Sequence, residues 1–138
     1  MMDNAILIVL FIGVVIFVIS DHITYWKQIS NFTLRANELA VIYNNILKRF
    51  QNESDDVKII EYEGMFYTVK VKIGDYRSFV FRIQEITADV KKAYDEIDPR
   101  YLMQADEETA EDIEALRKKI EEIDYAVRMT IWKNGWKK

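Results

Sequence analysis

The feature that most constrains this chain is the run from Ala5 to Ile19, AILIVLFIGVVIFVI: fifteen residues with no charge and no strong polar group. Asn4 and Ser20 extend the uncharged stretch to seventeen. As a helix rising ~1.5 Å per residue, that stretch spans about 25 Å, at the short limit for a hydrocarbon core ~30 Å thick. Tyr25, Trp26 and Lys27 follow one to two turns later, where interfacial aromatics and cations belong. Three other readings compete. A buried core helix can be this apolar, but few chains of 138 residues can wrap one on all sides. A cleaved signal peptide needs a basic start and a small-residue cleavage site. This chain opens Met-Met-Asp-Asn, and no Ala-x-Ala follows the run. Nine of the fifteen residues are Ile or Val, yet the run is too long for one strand. The expectation is a transmembrane anchor over residues 1–26 and a second unit over 27–138. Lys27 and Arg35 follow the run and no cation precedes it, so the positive-inside rule predicts a single-pass protein with its C-terminal domain in the cytoplasm.

Residues 27–51 carry a heptad seam: Ile29, Phe32, Ala36, Leu39, Tyr43, Ile46 and Phe50, at alternating steps of three and four. No glycine or proline separates it from the apolar run, so one long helix, apolar all round and then amphipathic, is the simplest reading. The seam suits either packing on the chain's own sheet or a parallel coiled coil between copies. Asn52–Asp56 reads as a polar loop. Three strands are expected over 57–83: Val57–Tyr62, Met65–Ile73 and Tyr76–Ile83. Glu63-Gly64 and Gly74-Asp75 sit at the joints of this antiparallel meander. A short helix over 87–98 would start at Thr87 and stop at Asp98-Pro99. A last helix over 106–134 carries Ile113, Leu116, Ile120, Ile123 and Val127 at heptad spacing, with Gly135 as its C-cap. The expected fold is α+β, with the two C-terminal helices packed on the sheet.

Chemistry is sparse. There is no cysteine, which excludes disulfides, thiolate metal sites and cysteine nucleophiles. His22 is the only histidine and sits beside Asp21 at the expected membrane exit, where it reads as a solvated helix residue; that speaks against Ser-His-Asp catalysis, and a single histidine forms no histidine metal cluster. The acids Asp106, Glu107, Glu108, Glu111, Asp112 and Glu114 fit the first turns of a helix, where they complement the macrodipole, and lack EF-hand spacing. No phosphate-binding glycine loop or hydrolase motif occurs. Asp3 is the only charge in the first twenty residues, leaving 22 acids against 19 bases in the rest. A mildly acidic domain does not favour nucleic acid. Trp132, Lys133, Trp136, Lys137 and Lys138 combine indoles and cations; they suit a Trp packed on the sheet with a solvated tail, and alternatively a bilayer interface or single-stranded nucleic acid.

In outline, a hydrophobic helix, its amphipathic extension and a meander resemble a type IV pilin. That family's basic leader ending in glycine and its glutamate five residues into the helix are absent, so no residue role is carried over. The expected function is a non-enzymatic, membrane-anchored scaffold or regulatory subunit. Its partners would be the bilayer and either a second copy or another protein, with no nucleic acid, cofactor, metal or small-molecule substrate. The alternative is a membrane-active protein of the phage lysis or exclusion type, acting through oligomerisation of its span. The size, the doubled initial Met and the lack of motifs suit that phage-like reading.

Overall fold

The computed structural model describes residues 2–51 and 59–137. The loop expected at Asn52–Asp56, the opening Val57 and Lys58 of the first expected strand, and Lys138 lie outside the described residues. Helix α1 runs unbroken from Met2 to Gln51. After Gly13 no glycine or proline interrupts it, so nothing breaks its hydrogen-bond ladder where the apolar run ends. A hairpin follows, β1 (Ile59–Glu63) antiparallel to β2 (Thr68–Lys72), with Ile60 opposite Val71 and Tyr62 opposite Val69. Ile60, Val69 and Val71 point into the core, while Glu61, Lys70 and Lys72 face outward, in the phase the alternation predicts. Three helices complete the chain: α2 (Tyr76–Asp95), α3 (Pro99–Gln104) and α4 (Glu107–Asn134).

The sheet has two strands among the described residues, not three. Tyr76–Ile83, expected as the third strand, forms the first two turns of α2. Phe79 and Ile83 satisfy both a step of two through Phe81 and a step of four, so eight residues cannot separate the periods. The longer window does: Phe79, Ile83, Ile86, Val90, Ala93 and Ile97 form one buried stripe at steps of four and three. Gly74-Asp75 is accordingly a helix start rather than a hairpin joint. Gly74, at φ +97°, closes a turn in which Asp75 N donates to Lys72 O at 3.0 Å, and the Asp75 carboxylate accepts from Ser78 N at 3.3 Å. The short helix expected from Thr87 is the second half of α2. Thr87 is buried in mid-helix, its hydroxyl donating to Ile83 O at 2.7 Å. The break at Asp98-Pro99 stands, with Asp98 capping α3 through Arg100 N at 3.0 Å.

The core is helix on helix, with the hairpin laid against α1 and α2. Phe50 meets Tyr76 and Phe79 at the C-terminal end of α1, Phe32 meets Tyr94 nearer its middle, and Tyr25 meets Tyr101 where its packed half begins. Helix α2 therefore runs antiparallel to α1, and α4 returns parallel to it. In the seam, Ile29, Phe32, Ala36, Leu39 and Ile46 are buried and Tyr43 and Phe50 partly so, against α2, α4 and the hairpin of the same chain. Single cysteines at these buried positions are expected to crosslink between chains no better than ones at Asn37 and Asn44. Membrane crosslinking that peaks at Phe32→Cys, Leu39→Cys and Ile46→Cys would contradict this packing.

The hairpin turn is fastened by a carboxylate. Glu38, 8% exposed, accepts from Tyr67 N at 3.1 Å and from Phe66 N at 3.1 and 3.3 Å. A Cβ on Gly64 would lie 1.6 Å from Glu38 Oε1 and 2.6 Å from Tyr62 Cε1, so only glycine lets the carboxylate sit there. Gly64→Ala should displace Glu38, leave two amides poorly paired and cost about 1–3 kcal/mol in denaturant unfolding. Gly13→Ala, with nothing within 4 Å of the added carbon, serves as the control. Equal stability of the two variants would refute the Glu38 lock.

Candidate functional site

The described side chains from Asn4 to Ser20 are exposed all around the helix, and none of the most apolar window is covered by the chain. The large apolar side chains there range from 39% exposed at Val15 to 70% at Phe11. One helix here, near the N-terminus, is long and apolar enough to cross a membrane. A bare apolar cylinder of this size is unfavourable in water, whatever covers it.

Where the run ends, the polar side chains have partners within the chain. Asp21 accepts from the Tyr101 hydroxyl at 2.8 Å. His22 Nε2 accepts from Trp26 Nε1 at 2.9 Å, and the Thr24 hydroxyl donates to Ser20 O at 2.9 Å. One turn on, Gln28 Oε1 accepts from Asp98 N at 2.9 Å. Tyr25 is wedged between Trp26 and Tyr101, with ring centroids 5.5 and 5.3 Å away, both edge to face. The bond to Asp21, followed by burial, pushes the Tyr101 phenol above its ordinary pKa. Internal pairing of this kind is what a low-dielectric boundary requires of polar groups. Trp26 and Lys27 stay exposed beside it.

The C-terminal indoles and cations lie elsewhere. Trp136 packs near Tyr76 and Phe81, Arg77 donates to the Lys137 carbonyl, and Trp132 and Lys137 are exposed. Tyr76 in turn packs on Phe50, twenty-four residues along α1 from Trp26. At ~1.5 Å per residue the two aromatic groups stand about 36 Å apart along the helix. The structure thus places Tyr25, Trp26 and Lys27 at one end of the bundle and Trp132, Trp136 and Lys137 at the other. The acidic run opens α4 near the Tyr25 end. Among the described residues, no three acids or histidines are grouped to hold a metal.

Two charged clusters escaped the sequence reading. Arg35 on α1 reaches Asp89 on α2 at 2.8 Å and the Tyr67 hydroxyl at 3.3 Å, while its guanidinium stacks over Phe66, 4.4 Å from the ring centre. Tyr67 donates to the same Asp89 oxygen at 2.5 Å. On the other side, Lys91 of α2 meets Asp124 of α4 at 2.7 Å, with Arg128 on the same carboxylate. Burial alone would raise the Asp124 pKa, but Lys91 and Arg128 outweigh it and hold the carboxyl below its usual range. The available signal was position: Arg35 and Glu38 flank Ala36 and Leu39, and Asp124 follows Ile123 in a buried stripe. Both clusters join helices to one another. Comparison with protein-family models, curated proteins and solved structures finds no match.

Burial, then the bond to Asp89, pushes the Tyr67 phenol up to about 12, against the opposing pull of Arg35. In an unfolded chain tyrosine ionises near 10, so the stabilisation from the neutral hydroxyl is complete below about pH 10 and lost as pH rises through about 12. Unfolding midpoints of the intact chain should fall across that window, and fall less steeply in Tyr67→Phe. A variant with the same slope as the parent would remove Tyr67 from the account.

Proposed function

We propose that this chain is a non-enzymatic, single-pass membrane-anchored scaffold or regulatory subunit, which holds a small helical domain at a fixed height and angle over the bilayer for a protein partner. The observation that carries this reading is the continuity of α1. The same helix is bare over its apolar run and is a central core element from Ile29 to Ile46, with no hinge residue between. A flexible tether would only raise local concentration, whereas a continuous helix also fixes orientation. Because the heptad seam is filled by the chain's own helices, the partner surface on this reading lies on the outer faces of the domain. Lys27 and Arg35 favour the cytoplasmic side for the domain.

The membrane-active alternative makes the opposite demand on the span, and vesicles separate the two. The full chain should stay with membranes through alkaline carbonate washing, and vesicles carrying it should retain an entrapped dye. Dye release at low protein-to-lipid ratio, growing with protein density, would overturn the scaffold reading in favour of an oligomerising span. Recovery in the carbonate supernatant would overturn the anchor itself.

A further inference from the structure

We infer that α3 is a second, non-spanning membrane contact: a short foot that rests in the lipid headgroup and upper acyl region beside the anchor. This rests on the anchored reading above and adds to it a surface the apolar run does not include.

Topology places the foot. Helix α2 runs back toward the apolar segment and α4 runs away from it, so the connection between them turns at the end of the bundle nearest that segment. Residues 99–104 are this connection. They are fastened to α1 where the apolar run ends, through Tyr101 to Asp21, Tyr101 against Tyr25, and Asp98 N to Gln28. Asp21 is two residues beyond Ile19, about 3 Å along the axis.

Length strengthens the argument. The fifteen apolar residues span about 22 Å, short of the ~30 Å hydrocarbon core. A core beginning at Ala5 would reach about residue 24, beyond the level of Asp21, unless the bilayer thins. Either way the lipid surface comes up to α3. The internally paired Asp21, His22 and Thr24, and the exposed Ile23 at 60%, fit such a level.

The side chains left outward on the foot suit lipid. Met103 is 86% exposed, the highest value among the exposed large hydrophobic residues, and a flexible thioether fills irregular apolar surroundings well. Arg100 is exposed, with its guanidinium engaged by the Asp98 carboxylate at 2.9 and 3.1 Å. Asp98, Asp106, Glu107 and Glu108 surround the foot, so attraction to anionic lipid is not the driving force. The contact is apolar, and neutral phosphatidylcholine suffices as its partner.

The test needs no variant. The full chain is reconstituted in phosphatidylcholine vesicles, floated to confirm association, and treated with a charged, membrane-impermeant oxidant such as periodate. Methionine oxidation is then followed by mass spectrometry. Met65, 76% exposed, sits in the hairpin turn fastened at Glu38, about 20 Å along α1 from Tyr25 at ~1.5 Å per residue, and is the internal reference. Exposure within the chain alone predicts similar rates for the two residues. Lipid contact predicts Met103 oxidising roughly fivefold or more slowly than Met65, with the difference lost on transfer to a denaturing detergent. Equal rates in floated vesicles would overturn the foot and leave the anchor standing. Failure to float would overturn the anchored reading and the foot together.

Discussion

The residues of α1 from Ala5 to Ile19 are all exposed, while Ala36, Leu39 and Ile42 are among its most completely buried, and both groups belong to one uninterrupted helix. The rest of the structure depends on that continuity. A backbone hydrogen bond every residue carries α1 from one surrounding to the other without exposing a polar group, which a loop at the same place could not do. Once α1 is the axis, α2 and α4 have only its second half to pack on, and their connection necessarily turns beside the end of the apolar run. The aromatic contacts Phe50–Tyr76, Phe32–Tyr94 and Tyr25–Tyr101 mark this pairing from one end to the other.

Apolar stripes alone leave helix register underdetermined, since Ile and Leu at one turn pack much like those at the next. The charged groups at the edges of the core supply what the stripes lack. Glu38 receives the amides of one particular turn, Arg35 needs Tyr67 and Asp89 at the same height, and Asp124 must face Lys91. The Arg35–Asp89 pair is partly exposed and adds little net stability, but a register that left the covered carboxylates of Glu38 or Asp124 without their donors would be costly, so these contacts select among similar packings. They also join α1 to every other large element: the hairpin and α2 directly through Arg35, and α4 through α2.

Much of the helical content was legible. The apolar run, the helix through 27–51, the hairpin phase and the last helix with its glycine cap all follow from periods and punctuation that act over a few residues. The third strand was not. Tyr-Arg-Ser-Phe-Val-Phe-Arg-Ile has strand-like composition, and over eight residues its alternation coincides with a helical step of four. What decides between them is whether the apolar positions continue at helical spacing to Ile97, and whether Asp75 has an amide to cap. The charged clusters were less legible still, because Arg35 and Asp89 are 54 residues apart and each alone looks like a solvated helix residue.

By itself, the sequence determined that one segment cannot be satisfied by water, that an amphipathic helix continues from it, and that no cysteine, histidine cluster or phosphate loop is present. These are properties of composition and of short-range spacing. Tertiary structure alone decided what fills the heptad seam, which end of the bundle the C-terminal tryptophans occupy, and that residues 99–104 lie beside the end of the apolar run. The reason is physical. An apolar stripe states that something must cover it but carries no record of what does. That answer depends on how distant stripes match in length, direction and charge once they compete for the same partner.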